Sequence, residues 1–126
     1  KLNKKTGMVF RLPTEEEWLT ACLANQKNKY YCGSYPIEDY AWFKENADGQ
    51  THRVGQKKPN AWNLFDMSGN VWEWTNDCVE NNCEQHIYLG GSWFVFKREV
   101  LDLPREYFSN NFISHNLGFR VVLSSK

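Results

Sequence analysis

The segment NAWNLFDMSGNVWEWTND, residues 60–77, constrains the fold of this chain more than any other stretch. It combines three tryptophans with a Ser-Gly-Asn sequence typical of a turn. Its acidic residues are Asp66, Glu73 and Asp77. A glycine lets the backbone curl so that carbonyl groups face one point, and tryptophans bury large apolar areas around it. The segment therefore predicts a turn held by aromatic packing, followed by a strand with Trp72 or Trp74 in the core.

Size and charge limit the classes of function. The chain has 126 residues, which suits a single domain, and its 15 basic and 15 acidic residues give a net charge of zero. Nucleic-acid-binding proteins usually carry a basic stripe. Here the basic clusters are short, at Lys1, Lys4 and Lys5 and again at Lys57 and Lys58. No apolar run approaches the ~20 residues of a membrane helix. We therefore expect neither a nucleic-acid partner nor membrane insertion.

One helix is predicted by local signals. Residues 8–12 have the composition of a short strand, which a proline ends. Thr14, with Glu17 three positions later, matches a capping box. Apolar residues then recur at helical spacing, which predicts a helix from Glu15 to about Asn25.

The rest of the chain alternates between loops and short strands. Residues 26–59 show no period, which indicates a long loop pinned by aromatic side chains. These aromatic residues are Tyr30, Tyr31, Tyr35, Tyr40, Trp42 and Phe43. The stretches HIYLGGSWFVF (86–96) and LGFRVVL (117–123) are typical of strands, while residues 97–116 show neither a helical nor a strand period. The predicted class is α+β, with few short strands, one clear helix and much loop.

The four cysteines do not have the spacing of a zinc site. They are Cys22, Cys32, Cys78 and Cys83. Cys78 and Cys83 could close a small disulfide loop in an oxidising compartment. The alternative is two inert buried thiols and two loop thiols, and the sequence leaves both open.

Four motifs occur in order between Phe10 and Val122: FRLPTEEEW, THRVGQKKPNAWNLFDMSGNVWEW, LGGSW and LGFRVV. Together they resemble the formylglycine-generating enzyme, or sulfatase-modifying factor, family, whose domain is a modified C-type lectin fold. The resemblance implies that residues 1–126 form a single domain corresponding to the C-terminal half of the family's domain. The chain would then be a fragment, a piece completed by a missing N-terminal half or partner chain, or a minimal version.

The resemblance also implies a metal site in the first segment. In the family, a side chain at the start of the turn, a glutamate between the tryptophans and two main-chain carbonyls bind Ca²⁺. The implied ligands are the side chains of Asp66 and Glu73 and the carbonyls of Gly69 and Val71. Ca²⁺ prefers such oxygen ligands. The alternative is that Asp66 caps the turn and Glu73 pairs with an arginine.

The resemblance does not extend to the family's catalytic cysteines. The oxidase of this family holds copper with two cysteines four residues apart between the GGS and GFR motifs, and thiolates suit Cu(I). This chain has no cysteine between Gly90 and Arg120. Its histidines, His52, His86 and His115, are dispersed. We therefore expect no copper and no catalytic residues, and an oxidase acting on a sulfatase cysteine is the alternative.

Family members without these cysteines are best known as ligand-binding scaffolds. They include the variable proteins of diversity-generating retroelements, which diversify the segment between GGSW and GFR at asparagine codons. Many residues of Phe94–Asn116 can arise from such codons, whereas Lys97, Glu99 and Glu106 cannot. The resemblance implies either such a variable protein or another non-catalytic binding domain, and a cell-surface or secreted location is favoured.

The segment has the composition of a protein-binding surface, because aromatic residues and arginine supply anchors among short polar residues. We expect a protein or other macromolecular ligand. Val95, Leu101 and Leu103 are expected to face inward. The expected ligand-binding residues are Trp93, Phe94, Phe96, Arg98, Arg105, Tyr107, Phe108, Asn110, Asn111, Phe112 and His115.

Overall fold

A computed structural model describes residues 2–26 and 31–124, so Lys1 and Tyr30 lie outside the described residues. Nine elements and one 3₁₀ turn, Ile37–Asp39, follow one another in this part of the chain. They are α1 (Leu2–Thr6), β1 (Val9–Arg11), α2 (Glu15–Leu23), β2 (Trp72–Val79), β3 (Asn82–Leu89), α3 (Lys97–Val100), β4 (Arg105–Ser109), β5 (Leu117–Gly118) and β6 (Val122–Ser124). The predicted α+β class with short strands and long loops is confirmed.

The strands form two small sheets. The larger has the order β4-β3-β2-β5, and the smaller pairs β1 with β6. Strands β2 and β3 form an antiparallel hairpin in which Glu73 lies opposite Leu89 and Trp74 opposite Tyr88. Strand β4 pairs antiparallel with β3, and β5 pairs parallel with β2. The sheet thus brings the turn before β2 and the segment after β3 into one structure.

Helix α2 begins where predicted and ends two residues earlier. The hydroxyl of Thr14 accepts a hydrogen bond from the backbone of Glu17, whose side chain accepts one from the backbone of Thr14, so the capping box is confirmed. Arg11 donates two hydrogen bonds to Glu17, at 2.7 and 2.8 Å. These bonds, with that from Thr14, lower the pKa of Glu17 to about 2. The next two residues after Leu23 have left-handed backbone conformations, which ends the helix.

Two apolar clusters fill the interior. The first cluster comprises Trp18, Cys22, Cys32, Met67, Ile87 and Leu89 and joins α2 to the larger sheet. The second cluster comprises Ile37, Ala41, Phe43 and Val100 and joins the long loop to α3. Trp72 is buried, as predicted for one of the two strand tryptophans. The described part of the long loop is therefore anchored by burial of Ile37, Ala41 and Phe43.

All four cysteines lie in the described part of the chain and form disulfides. Cys78 is bonded to Cys83 across the β2–β3 hairpin, which confirms the disulfide alternative for that pair. Cys22 is bonded to Cys32, so the alternative of two inert buried thiols does not hold. The second disulfide ties α2 to the start of the described part of the long loop.

The segment after β3 differs most from the sequence prediction. The predicted strand over residues 86–96 ends at Leu89, and residues 97–116 contain α3 and β4. Glycines at positions 90 and 91 both have positive φ, which turns the chain out of the sheet. Within residues 2–26 and 31–124, no helix has the length and apolar character required to cross a membrane.

Candidate ligand-binding surface and calcium site

The segment that follows the GGSW motif is fixed to the interior by alternate residues. Val95 packs against the second cluster, and its carbonyl accepts a 2.9 Å hydrogen bond from the backbone of Lys44. Val100, at the end of α3, is fully buried in the same cluster. Because Val95 faces inward, its neighbours Phe94 and Phe96 face the surface. The predicted division between inward and outward residues is confirmed here.

Two exposed phenylalanines and two cations form a compact surface, which we name the Phe94 patch (Lys44, Phe94, Phe96 and Arg98). Phe94 is 58% exposed and Phe96 is 40% exposed. The Nζ atom of Lys44 lies 4.8 Å from the ring centre of Phe94 and 4.4 Å from that of Phe96. The guanidinium carbon of Arg98 lies 5.5 Å from the ring centre of Phe96. These distances are typical of cation–π contacts, which hold the cations beside the rings.

The carboxylates near the Phe94 patch are already engaged by Lys97. Its Nζ donates to Glu38, and its backbone donates to Oε2 of Glu45 at 2.9 Å. Within the described part of the chain, neither Lys44 nor Arg98 forms an ion pair with a carboxylate. A surface cavity of about 410 Å³ opens beside the patch, lined by Glu45, Phe96, Lys97, Arg98 and Leu101. The patch therefore presents apolar area together with unpaired positive charge.

Four aromatic rings form a second feature that reaches the surface at one end, which we name the aromatic stack (Trp74, Tyr88, Phe108 and Phe112). Consecutive ring centres are separated by 4.4, 5.2 and 4.4 Å. Strand alternation places the stack on the sheet face opposite the first cluster. The Tyr88 hydroxyl is buried without a hydrogen-bond partner among the described residues, and burial raises the pKa of Tyr88 to about 12. Phe112 leaves 38% of its surface exposed at the end of the stack.

Two of the other predicted binding residues, Arg105 and Tyr107, belong to β4. Arg105 and Tyr107 lie on the opposite side of β4 from Phe108. Arg105 donates from Nε to Glu15 at 2.9 Å, while Tyr107 is 54% exposed. The segment thus presents several surfaces rather than one continuous surface.

Asn110 is exposed, but its side chain is held by contacts with β3: it donates to the carbonyl of Cys83 and contacts Nδ1 of His86, both at 2.6 Å. Asn111 and His115 are exposed. Trp93 is half-buried with its ring 5.5 Å from that of Phe94, and its buried Nε1 has no hydrogen-bond partner among the described residues.

Three of the four predicted metal ligands, Asp66, Val71 and Glu73, line a cavity of about 390 Å³ together with Arg120. The fourth, Gly69, is not among its lining residues. Oδ2 of Asp66 accepts a 2.8 Å hydrogen bond from the backbone of Gly55. Both oxygens of Glu73 accept bonds from Arg120, at 2.5 and 2.9 Å, and Trp18 adds a third at 3.0 Å. The arginine pairing named as the alternative is therefore present.

Gly69 is required for packing independently of any metal. A Cβ atom at this position would lie 2.1 Å from the carbonyl oxygen of Trp42, and φ is +76°. The adjacent Asn70 donates from its backbone to that same carbonyl at 2.8 Å. The turn thus brings the long loop into direct backbone contact with the start of β2.

The free oxygen atoms of this cavity fit a cation. Oδ1 of Asp66 is buried and accepts no hydrogen bond from the described residues. Oε2 of Glu73 accepts one bond and keeps a second lone pair. Two carboxylates face one guanidinium, so a negative charge is left unbalanced. Burial raises the pKa of Glu73, against the effect of its bonds with Arg120 and Trp18, and Asp66 adds to the rise.

Among the described residues, no group of three or more His, Cys, Asp or Glu side chains is arranged to hold a metal ion. A cation between Asp66 and Glu73 would therefore need backbone carbonyls and water as further ligands. The carbonyls of Gly69 and Val71 are the ones that the family resemblance implies, and Ca²⁺ accepts such mixed oxygen ligands.

The model of the family described as the sulfatase-modifying factor enzyme 1-like domain matches residues 1–125. The chain belongs to this family. The resemblance inferred from the four motifs is thereby confirmed, as is the C-type lectin-like fold.

Relatives in this family have different names and greater lengths. The chain is 32% identical to the chaperone protein LppX of Paenibacillus barcinonensis, over 91% of this chain and 49% of that protein. It is 30% identical to the formylglycine-generating enzyme of Mus musculus, over 87% of this chain and 38% of that protein. The chain is also 30% identical to the inactive C-alpha-formylglycine-generating enzyme 2 of Mus musculus, over 91% of this chain and 43% of that protein. The chain therefore spans half or less of the length of these relatives.

Solved structures show the same fold. The chain is similar to Treponema denticola variable protein 1 with a TM-score of 0.76 and 28% identity, over 90% of this chain and 47% of that one. It is similar to PvdO from Pseudomonas aeruginosa with a TM-score of 0.82 and 27% identity, over 98% of this chain and 56% of that one. Neighbours of this domain thus include a variable protein.

Sequence reasoning missed Lys44 as part of the surface. It belongs to the long loop, and no motif connects it to Phe94; only the hydrogen bond to Val95 brings it there. It also missed Trp18 as a partner of Glu73, because the helical spacing of Trp18 indicated only an apolar core position.

Proposed function

We propose that this chain is a non-catalytic ligand-binding module that recognises a macromolecular ligand through the Phe94–Asn116 segment, with the Phe94 patch as its main contact. The observation that carries this proposal is the exposure of Phe94 and Phe96 on either side of Val95, which is half-buried and packs against the second cluster. Aromatic side chains held rigidly at the surface lose little conformational entropy on binding, which makes them effective anchors.

The similarity in fold to Treponema denticola variable protein 1 supports this function. The absence of cysteines between Gly90 and Arg120 supports it as well, because the family's oxidase would need two thiolates there. Cys78 and Cys83 also have four residues between them, but they are joined in a disulfide and are not free thiolates. An oxidase acting on a sulfatase cysteine is the alternative function.

The proposal includes one structural Ca²⁺ held by the side chains of Asp66 and Glu73 and the carbonyls of Gly69 and Val71. Its support is the buried free oxygen of Asp66 and the unbalanced charge beside it. The ion would stabilise the turn before β2 and have no part in ligand contact. Two disulfides favour an oxidising compartment, which agrees with a secreted or cell-surface location.

The function is tested by panning a random dodecapeptide phage library against the folded protein in calcium buffer. Recovered peptides are synthesised, and their affinities are measured for the wild type and for a Phe94→Ser/Phe96→Ser variant. Loss of a central aromatic anchor costs about 2 kcal/mol or more, so we expect at least a roughly 30-fold weaker Kd. Phe119→Ser, which removes a 69% exposed phenylalanine outside the segment, is the matched control and should bind normally.

Equal affinity for the wild type and the double variant would contradict the proposed contact surface, provided that both have the same melting temperature. The oxidase alternative is tested by incubating the protein with copper and a cysteine-containing sulfatase peptide. We expect no aldehyde product, and formylglycine detected by mass spectrometry would overturn the non-catalytic assignment.

A further inference from the structure

The positive charges of the Phe94 patch are fixed beside the rings and lack a counter-charge. Lys44 is exposed, and its backbone N–H is bonded to the carbonyl of Val95, so its side chain rises between Phe94 and Phe96. Arg98 is exposed on α3, beside the ring of Phe96. Because neither cation pairs with a carboxylate within the described part of the chain, a partner can supply one without displacing an internal ion pair.

Two carboxylates near the patch, Glu38 and Glu45, bind Lys97 rather than Lys44 or Arg98. Glu38 pairs with the side chain of Lys97, and Glu45 accepts the backbone N–H of the same residue. The cavity beside Phe96 has Arg98 and the aliphatic side chain of Leu101 in its lining. Apolar area and positive charge therefore meet in one concave place.

We infer that the partner recognised by the Phe94 patch is a protein segment that combines carboxylates with apolar side chains. This inference rests on the proposed binding function and specifies the chemistry of its ligand. An apolar side chain of the partner would cover the rings of Phe94 and Phe96, and partner carboxylates would pair with Lys44 and Arg98. Charge complementarity of this kind raises association rates and excludes basic segments.

The geometry favours a protein segment over a nucleic acid. A nucleic-acid site neutralises several consecutive phosphates with a track of cations, whereas the patch offers two unpaired cations and the whole chain has a net charge of zero. Two cations beside two large rings suit a short segment with one or two carboxylates.

The test uses three fluorescein-labelled dodecapeptides that differ only in charge. One contains two glutamates with two leucines and two tryptophans, and its counterparts carry glutamine or lysine in place of glutamate. Fluorescence anisotropy gives the Kd of each peptide, with a dodecameric oligothymidine and a heparin dodecasaccharide as other anions. At low salt, we expect the glutamate peptide to bind at least about tenfold more tightly than the lysine peptide, with the difference shrinking as salt is raised.

Variants then assign the charge preference to the patch. Lys44→Met and Arg98→Met keep aliphatic contact with the rings and remove the charge. Each single substitution should raise the Kd of the glutamate peptide by about three- to fivefold, and the double variant should raise it by about tenfold or more. The Kd of the glutamine peptide should not change. Lys5→Met, which removes an exposed lysine on α1, is the matched control and should have no effect.

The outcomes separate this inference from the proposed function. If the three peptides bind equally well and all lose binding in Phe94→Ser/Phe96→Ser, the acidic-partner inference is overturned and the proposed binding function still holds. If peptide binding is unchanged in Phe94→Ser/Phe96→Ser and in Lys44→Met/Arg98→Met, both the acidic-partner inference and the proposed contact surface are contradicted. Tighter binding of the oligothymidine or of heparin than of the glutamate peptide, lost in Lys44→Met/Arg98→Met, would also overturn the inference.

Discussion

The Arg120 guanidinium stabilises the buried carboxylate of Glu73. The loss in the free energy of unfolding when Arg120 is replaced can be worked out from the structure. Glu73 is 4% exposed and accepts two hydrogen bonds from Arg120 and one from Trp18. In an Arg120→Leu variant the carboxylate stays buried near Asp66 with only the bond from Trp18. Loss of one partner of a buried ion pair costs about 3–5 kcal/mol of the free energy of unfolding. Because the Arg120 side chain is 28% exposed, we expect the lower end of that range.

The assay is equilibrium urea unfolding at pH 7 in EDTA, followed by tryptophan fluorescence. With a slope of about 1.5 kcal/mol per molar urea, a loss of about 3 kcal/mol lowers the midpoint by about 2 M. A Glu73→Gln/Arg120→Leu variant removes the unpaired charge and should regain more than about 1 kcal/mol relative to the single variant. Arg53→Leu, which removes an exposed arginine, is the control and should change stability by less than about 0.5 kcal/mol.

The reasoning is refuted by either of two results. One is a loss below about 1 kcal/mol in Arg120→Leu, which would place the pair among surface ion pairs. The other is a double variant that is no more stable than the single variant, which would show that the unpaired carboxylate is not the source of the loss.

Three further predictions concern the metal, the hairpin disulfide and acid stability. Saturating Ca²⁺ at about 100 times its Kd should add about 2.7 kcal/mol and raise Tm by roughly 10 °C over EDTA, with the response lost in Asp66→Asn; an unchanged wild-type Tm would remove the calcium claim. A Cys78→Ser/Cys83→Ser variant should lose about 2 kcal/mol of the free energy of unfolding. Its backbone amides at residues 108–112 should exchange hydrogen faster, because Asn110 bonds to the carbonyl of Cys83. Unchanged exchange there would contradict a link between the disulfide and this segment. The folded-state pKa of Glu17 lies below its ordinary value, so its stabilisation is present above about pH 5 and is lost as pH falls towards 2; the stability gap between wild type and Glu17→Gln should close over that window, and a gap that persists at pH 2 would contradict it.

Features set by neighbouring residues could be predicted from the sequence. The start of α2 follows from Thr14 and Glu17, which interact across one helical turn and need no tertiary contact. The inward and outward positions around Val95 follow from alternation over a few residues. The family could be recognised because its motifs preserve the turn before β2, where Gly69 touches the Trp42 carbonyl too closely for any side chain.

Features set by distant contacts could not be predicted in the same way. The Cys22–Cys32 disulfide depends on how the long loop returns to α2, which cysteine spacing does not specify. Strand β4 shows no alternation because Tyr107 and Phe108 put aromatic rings on both of its faces. Lys44 reaches the candidate surface only through its backbone bond to Val95, so no local pattern could assign it.

The central claim is that the Phe94 patch is the contact surface of a binding module. Its most direct test is a ¹H–¹⁵N correlation spectrum of the labelled protein titrated with a dodecapeptide recovered by library selection. We predict that the largest shift changes fall on residues 94–98 and on Lys44, and that they disappear in Phe94→Ser/Phe96→Ser. Shift changes confined to the cavity beside Asp66, or to the aromatic stack, would contradict the claim.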